Sequence, residues 1–299
     1  MVTLQLNKAG KALTPLVTPG DRVVEGQVLA SVVPVQQTFP CAGGAAESTF
    51  IAQLASSSLS ERYGAAKALG HFDSQPATQA LALKANDTKD HIYVRLEAAS
   101  SLARRGDDGG LAFIRQCLAE PFAQQRLEAV IVLGEVATEA AEHLLIETLR
   151  RQGEHPEIRA GAAWALGEQG HESALAALIE SFAAVEQDVR IEAARALAKL
   201  ANEFGPAIIE SLRIARPDQR PAIAWALSKS GQFEASQLLD ALVDDDARRW
   251  VAFIFGTQPP DTYIDKIEAL CDRDPEVYFA VTVLWQVMNS WIFGLETYG

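Results

Sequence analysis

The sequence predicts an all-α protein, an α-solenoid of seven to eight helix-pair repeats, with a small β segment at its N-terminus. Three observations predict it. An arginine recurs at Arg62, Arg95, Arg126, Arg159, Arg190, Arg220 and Arg249, at successive intervals of 33, 31, 33, 31, 30 and 29. An Ala-rich apolar stretch, in its fullest form A-A-x-A-L-G, follows the arginine, and a first apolar stretch with a turn of Asp, Pro, Glu or Gln precedes it. Residues 1–45, in contrast, are dominated by β-branched side chains and punctuated by Pro15, Pro19, Gly20, Gly26, Pro34 and Pro40.

These features divide the chain into a small β-rich segment at 1–45 and a solenoid at 46–299. The proline and glycine spacing in the first part predicts short strands. Its run P-L-V-T-P-G-D-R-V-V-E-G-Q-V-L-A-S-V, Pro15 to Val32, resembles the first half of a biotinyl/lipoyl-like barrel-sandwich domain. The residues after it, Val33-Pro34-Val35-Gln36-Gln37, contain no lysine for a prosthetic group, so neither biotin nor lipoate is expected. An incomplete barrel leaves sheet edges that could pair with another chain.

Residues 46–60 read as a linker that becomes the first outer helix, and the repeat takes over from Glu61. Gly110–Leu118 and Ser173–Ile179 show the apolar spacing of first helices. Gly70, Gly106, Gly134, Gly167 and Gly231 fall at or near the ends of second helices, where a tight or left-handed connection is expected. One such unit cannot bury its own apolar face, so neighbours must stack. An eighth, atypical unit is expected at Asp274-Pro275-Glu276-Val277-Tyr278, with Tyr278 replacing the arginine and Trp285, Trp291 and Phe293 closing the core.

The repeat resembles the short HEAT-like repeats of the phycobilisome lyase type, whose V-R-x-x-A-A-x-A-L-G helix stands here as Val94-Arg95-Leu96-Glu97-Ala98-Ala99, Ile158-Arg159-Ala160-Gly161-Ala162-Ala163-Trp164-Ala165-Leu166-Gly167 and Val189-Arg190-Ile191-Glu192-Ala193-Ala194-Arg195-Ala196-Leu197. The resemblance implies that second helices line a concave groove. It also implies two functional classes, a scaffold or regulatory subunit that grips another protein and a subunit of a bilin lyase working with a homologous chain.

If the groove is built this way, offsets +2, +5 and +9 from each arginine share its exposed face. The +5 row is Lys67, Ser100, Ile131, Trp164, Arg195, Trp225 and Ile254; the +9 row is His71, Arg104, Glu135, Glu168, Lys199 and Lys229; the +2 row supplies Glu97, Glu128 and Glu192. Large aromatics at solvated positions point to contact with a partner, so Trp164 and Trp225 are the expected anchors. Glu128, Glu135 and Glu168 would steer it on one side, and Arg195, Lys199 and Lys229 on the other. The expected partner is another protein in the groove, a homologous subunit being one candidate. The resemblance also implies that the arginines are structural, bonding turn carboxylates or helix ends between repeats, with Glu157, Asp188, Asp218 or Asp246 as the expected partners.

Composition narrows the functional classes. A formal net charge of −13 with no Lys/Arg cluster argues against nucleic acid, the third alternative. Cys41, Cys117 and Cys271 lack zinc spacing, and His71, His91, His143, His155 and His171 are spread along the chain without ligand spacing, so no metal and no cofactor are expected. A nucleophilic role for Cys41 competes with its place in a glycine-rich turn, and no catalytic residue is assigned. Without a long apolar run after the N-terminal basic residues, no signal peptide is expected, and Ala280–Leu295 is short for a span, so no membrane association is expected and a cytoplasmic location is.

Overall fold

A computed structural model describes residues 11–15, 30–34, 43–230 and 244–258, with Leu238, Ala241 and a few isolated positions up to Thr282. The chain divides into two compact units, Met1–Ser48 and Thr49–Gly299. In the first, strands β1 (Lys11–Pro15) and β2 (Ala30–Pro34) pair antiparallel, with Lys11 opposite Pro34 and Pro15 opposite Ala30. Among the described residues this pairing gives no support to the barrel-sandwich resemblance.

The second unit is a stack of helix pairs. Its helices are α1 (Gly43–Gln53), which begins in the first unit, α2 (Leu59–Leu69), α3 (Gln75–Asn86), α4 (Ile92–Ala103), α5 (Asp108–Leu118) and α6 (Ala123–Leu133). They continue as α7 (Glu139–Arg150), α8 (Pro156–Gln169), α9 (Ala174–Glu180), α10 (Gln187–Ile214), α11 (Arg220–Ser230) and α12 (Asp245–Gly256). The seven recurring arginines all lie on second helices: α2, α4, α6, α8, the first part of α10, α11 and α12. The segment 46–60, expected as a linker that becomes the first outer helix, is helical through Gln53 within α1. Helix α10 is two helices in one, broken where Phe204 leaves helical geometry (φ −108°, ψ 26°) just before Pro206. Proline cannot donate the backbone bond that a continuous helix needs there, so the chain turns from a second helix directly into the next first helix.

Local chemistry sets the helix starts. Ser58, Ser74, Asp107 and Thr138 cap α2, α3, α5 and α7 by accepting from a backbone N–H one turn in. His91 and His155 cap α4 and α8 through their ring nitrogens.

The repeated motif is buried position by position. The leucine seven residues after each of the first six arginines (Leu69, Leu102, Leu133, Leu166, Leu197, Leu227) is 3% exposed or less, and the apolar residues three and four after the same arginines are buried in the same core. Each such leucine contributes roughly 2 kcal/mol by leaving water.

The glycines correct an expectation. Gly106 (φ +81°) adopts the left-handed conformation, as does Gly170 (φ +76°), which ends α8. Gly70 and Gly134 end their helices in right-handed geometry, and Gly167 lies inside α8. What these three share is close approach to the next second helix. A Cβ on Gly167 would stand 2.8 Å from the Cβ of Ala196, one on Gly134 3.2 Å from that of Ala165, and one on Gly70 2.6 Å from the Ser101 Oγ. The final G of the motif is thus a packing residue. Gly231 lies outside the described residues, as do Trp285, Trp291, Phe293 and most of the expected eighth unit.

Candidate binding groove

Second helices pack on one another through the stack, α2 on α4, α4 on α6, α6 on α8, and α8 on α10, more extensively than the first helices α3 on α5 or α7 on α9. Their outward faces also converge. The Nζ of Lys67 on α2 lies 2.5 Å from Glu135 Oε1 just beyond α6, reaching across the whole intervening repeat. Side chains two repeats apart meet in this way on the inner side of a curve, which makes this face the groove.

Helix geometry fixes which residues look into it. Trp164 on α8 is 40% exposed, and Ile131 on α6 and Ile191 on α10 are each 37% exposed, so consecutive second helices present an apolar stripe. Ile191 lies one residue after its arginine and was not among the expected groove positions. Trp225 is half-buried against the core, with Lys229 Nζ 5.9 Å above its ring. Ser100 and Ile254, expected on the same row, are fully buried, and Ser100 instead donates to the Val132 carbonyl of the next second helix at 3.2 Å. Offset +5 is therefore a boundary position, its exposure set by how closely the neighbouring helix approaches.

The charges of the groove are largely engaged with one another. Glu135 accepts from both Lys67 and Arg104, the latter at 2.7 Å. Glu168 pairs with Lys199 at 2.6 Å, and Arg195 with Glu192 at 2.5 Å. The acidic and basic groups expected to steer a partner thus interlock along the stack.

Glu97 departs from the expectation most sharply. It is fully buried, and nothing donates to either carboxylate oxygen with hydrogen-bond geometry, the Tyr63 hydroxyl standing near it and the Arg104 guanidinium 3.8 Å away. Burial pushes the Glu97 carboxyl above the usual carboxylate range, against the pull of the Tyr63 hydroxyl and of Lys67 and Arg104. Glu128, the next member of the +2 row, is raised for the same reason, with Glu97 adding to it. The Tyr63 phenol is raised well above its ordinary value by burial and by Glu97.

Six of the seven arginines are structural in two alternating geometries, and the seventh, Arg249, lies 4.7 Å over the Trp250 ring. Arg62, Arg126 and Arg190 each place Nη1 on the carbonyls six and five residues earlier, as Arg126 does on Glu120 (2.7 Å) and Pro121 (2.9 Å). Arg95, Arg159 and Arg220 instead aim Nε at the end of the preceding helix, at the carbonyls of Ala85, Leu149 and Leu212. Arg62 and Arg126 add Asp90 (3.0 Å) and Glu154 (2.9 Å), while Arg159 and Arg220 add Glu186 (2.8 Å) and Asp246 (3.2 Å). Of the carboxylates expected in this role only Asp246 serves; Asp218 pairs with Arg216, and Glu157 and Asp188 make no ion pair among the described residues. Two single repeats therefore make one structural period, which the alternation of 33 and 31 in the sequence already carries. Burial raises the Asp90 and Glu154 carboxyls, yet the bonds from Lys84 and Arg62 to Asp90, from Arg126 to Glu154, and from a backbone N–H to each outweigh it and hold both below their ordinary value.

Among the described residues no group of three or more His, Cys, Asp or Glu is placed to hold a metal ion. His171 and Ser173 both contact the buried Glu142, tying a connecting loop to α7. Cys41 and Cys271 lie outside the described residues. No described helix is long and apolar enough to cross a membrane.

No curated protein matches the chain by sequence. Among solved structures, the chain is similar to the complex of CpcE and CpcF of phycocyanin lyase from Nostoc sp. PCC7120, at 22% identity and a TM-score of 0.40 over 85% of this chain and 99% of that one. It is also similar to human deoxyhypusine hydroxylase in complex with glycerol, at 19% identity and a TM-score of 0.37 over 70% of this chain and 94% of that one. An engineered protein matches at 18% identity and a TM-score of 0.37 over 76% of this chain and 71% of that one. The family model for HEAT repeats matches residues 47–126 and 111–198, a little over half of the 299 residues. With its stacked helix pairs, its interlocking arginines and this match, the chain belongs to the HEAT-repeat family.

Proposed function

We propose that this protein is a non-catalytic scaffold or regulatory subunit that holds another protein in the groove of second helices. The observation that carries this reading is the apolar stripe of Ile131, Trp164 and Ile191, open to water on three consecutive helices. A tryptophan in water at the centre of a groove is the residue type that dominates binding energy when a partner covers it. Trp225 extends the stripe at lower exposure. Because Glu135, Glu168, Arg195 and Lys199 already have partners inside the groove, apolar contact supplies the affinity. The same ion pairs, with the net charge of −13, speak against a phosphate backbone as the occupant.

The test is affinity capture with wild-type protein and with W164A/W225A, helicity being followed by circular dichroism. Loss of about 2 kcal/mol for one buried tryptophan anchor corresponds to roughly 30-fold weaker binding. The double variant should lose its co-purifying chain with unchanged helicity, and capture at wild-type level would overturn the reading.

A bilin lyase subunit is the second reading, resting on the V-R-x-x-A-A-x-A-L-G form of the repeat at Ile158–Gly167. Co-expression with a bilin and an acceptor protein separates the two, since a coloured adduct is expected only from a lyase.

A further inference from the structure

The doubled period lets each part of the stack be compared with its own counterpart, and one site fails to match. Arg95 and Arg159 are 64 residues apart, and both aim Nε at the last turn of the preceding helix, 3.1 Å from Ala85 and 3.0 Å from Leu149. Arg159 then places Nη1 2.8 Å from Glu186, the residue that caps α10. The counterpart of Glu186, again 64 residues earlier, is Phe122, which caps α6 without a side-chain hydrogen bond and is 66% exposed. Arg95 accordingly has no carboxylate partner among the described residues. Its guanidinium instead lies 4.7 Å over the ring of Phe113, a position occupied by Ala177 in the other copy.

The space between these groups differs as well. A cavity of about 440 Å³ is lined by Arg95, Phe113, Cys117 and Phe122, whereas the one beside Arg159 measures about 190 Å³. Two acidic residues also line the larger cavity. Asp90 is already taken by Arg62 and Lys84, at 3.0 and 2.7 Å, and the Glu120 side chain makes no ion pair among the described residues. Cys117 cannot serve as a counter-anion, since burial pushes its thiol up to about 11.

The geometry points to a carboxylate-binding site at Arg95, filled by an acid with an apolar or aromatic body that takes the place of the internal glutamate of the other copy. The carboxylate would meet the guanidinium, and the body would lie against Phe113 and Phe122. A guanidinium stacked on an aromatic face is preorganised for such a group, with its remaining N–H groups directed at the ligand. The site lies where first helices hand over to second helices, away from the groove, and is independent of the reading given above. Glu120 on its wall limits affinity by like-charge repulsion.

Two probes separate the sources of the carboxylate: 4-fluorophenylacetate followed by 19F NMR represents a free small acid, and the peptide N-acetyl-Phe-Glu-amide followed by calorimetry represents an acidic side chain of another polypeptide. At least one should bind the wild type, and 4-fluorophenylacetamide, which lacks the charge, should not. Arg95→Gln should weaken binding by about tenfold or more. Phe122→Glu is the sharper variant, because it restores the internal partner. It should abolish binding and raise Tm by about 2–4 °C, while Phe122→Gln, which loses the same aromatic wall without adding a charge, should weaken binding by about tenfold and leave it measurable. Binding of neither probe, binding insensitive to Arg95→Gln, or a Phe122→Glu protein that binds as the wild type does would overturn the assignment.

Discussion

The double repeat α3–α6 and the double repeat α7–α10 are two copies of one structure, 64 residues apart, and they treat buried charge differently. In the second copy Arg159 is 7% exposed and closed by Leu149 and Glu186, and the position corresponding to Glu97 is Gly161. In the first copy Arg95 lacks a carboxylate, and Glu97 is buried with no hydrogen bond. Both copies stack through the same leucines and alanines, so the stack itself requires neither the open guanidinium nor the unsatisfied carboxyl. Features that cost stability and that the architecture can do without are where something beyond architecture is written.

The comparison breaks most visibly if the two arginines turn out equal. Arg159→Leu strands the Leu149 carbonyl and the Glu186 carboxylate, and should cost about 3 kcal/mol. Arg95→Leu gives up one carbonyl bond and the stacking on Phe113, and should cost about 1 kcal/mol. Urea denaturation of the two variants measures the difference, and a cost at Arg95 as large as at Arg159 would mean that its charge is compensated after all. The contacts between successive second helices give the next largest effect. Gly167→Val places side-chain atoms where a Cβ alone stands 2.8 Å from Ala196, and should cost about 2 kcal/mol through overpacking, again read from the urea midpoint.

Glu97 sharpens the comparison through pH. Its folded carboxyl keeps a proton to higher pH than the unfolded one, so the native chain binds the extra proton between the two values. Stability contributed by this site is therefore fully present below the unfolded value of about 4.5 and is lost as pH rises through the folded one. Glu97→Gln should stabilise the protein by about 1–2 kcal/mol at pH 7 and make no difference at low pH. Asp90 and Glu154 act in the opposite sense: their lowered carboxyls contribute stability above the ordinary carboxylate value and lose it as pH falls through the depressed one. Thermal melts of wild type and Glu97→Gln across this range separate the contributions, and parallel curves would show that Glu97 is solvated or paired in solution.

How much of this was legible in the sequence depended on whether a residue answers to its own repeat or to its neighbour. The stack was legible because spacing alone decides it: an arginine at about every thirty residues and a leucine seven later suffice. The arginines' structural role was legible too, but three of four expected partners were wrong. Three of the acids that serve, Asp90, Glu154 and Glu186, precede or cap the next second helix, whereas Asp246 serves from inside the first turn of its helix, where Glu157 and Asp188 of the other helices make no ion pair among the described residues. The glycines were placed at helix ends by habit of sequence, yet Gly167 faces Ala196 of the following repeat. In the groove, offset counting found Trp164 and Ile131 but missed Ile191, and it left Ser100 and Ile254 exposed when the adjacent helices cover them. A one-dimensional count cannot see how far a neighbouring helix leans over. The pairing of Lys67 with Glu135 likewise follows from curvature, which no single repeat encodes.

The smallest expected effect concerns the ion pairs that line the groove. Lys199 and Glu168 lie 2.6 Å apart but remain 50% and 39% exposed, so water screens them and long side chains lose freedom in holding the contact. A double-mutant cycle with Lys199→Ala and Glu168→Ala should return a coupling energy of about 0.5 kcal/mol or less. That is several times smaller than the loss expected at Arg159, although the two contacts have similar lengths, because burial and not distance sets the value of a charge pair. A weak coupling means that the pairs can open and re-form against an incoming surface at little cost, leaving Trp164 to supply affinity and the charges to choose orientation. A coupling near 2 kcal/mol would instead make the row a fixed part of the scaffold, and partner selection would then rest on the apolar stripe alone.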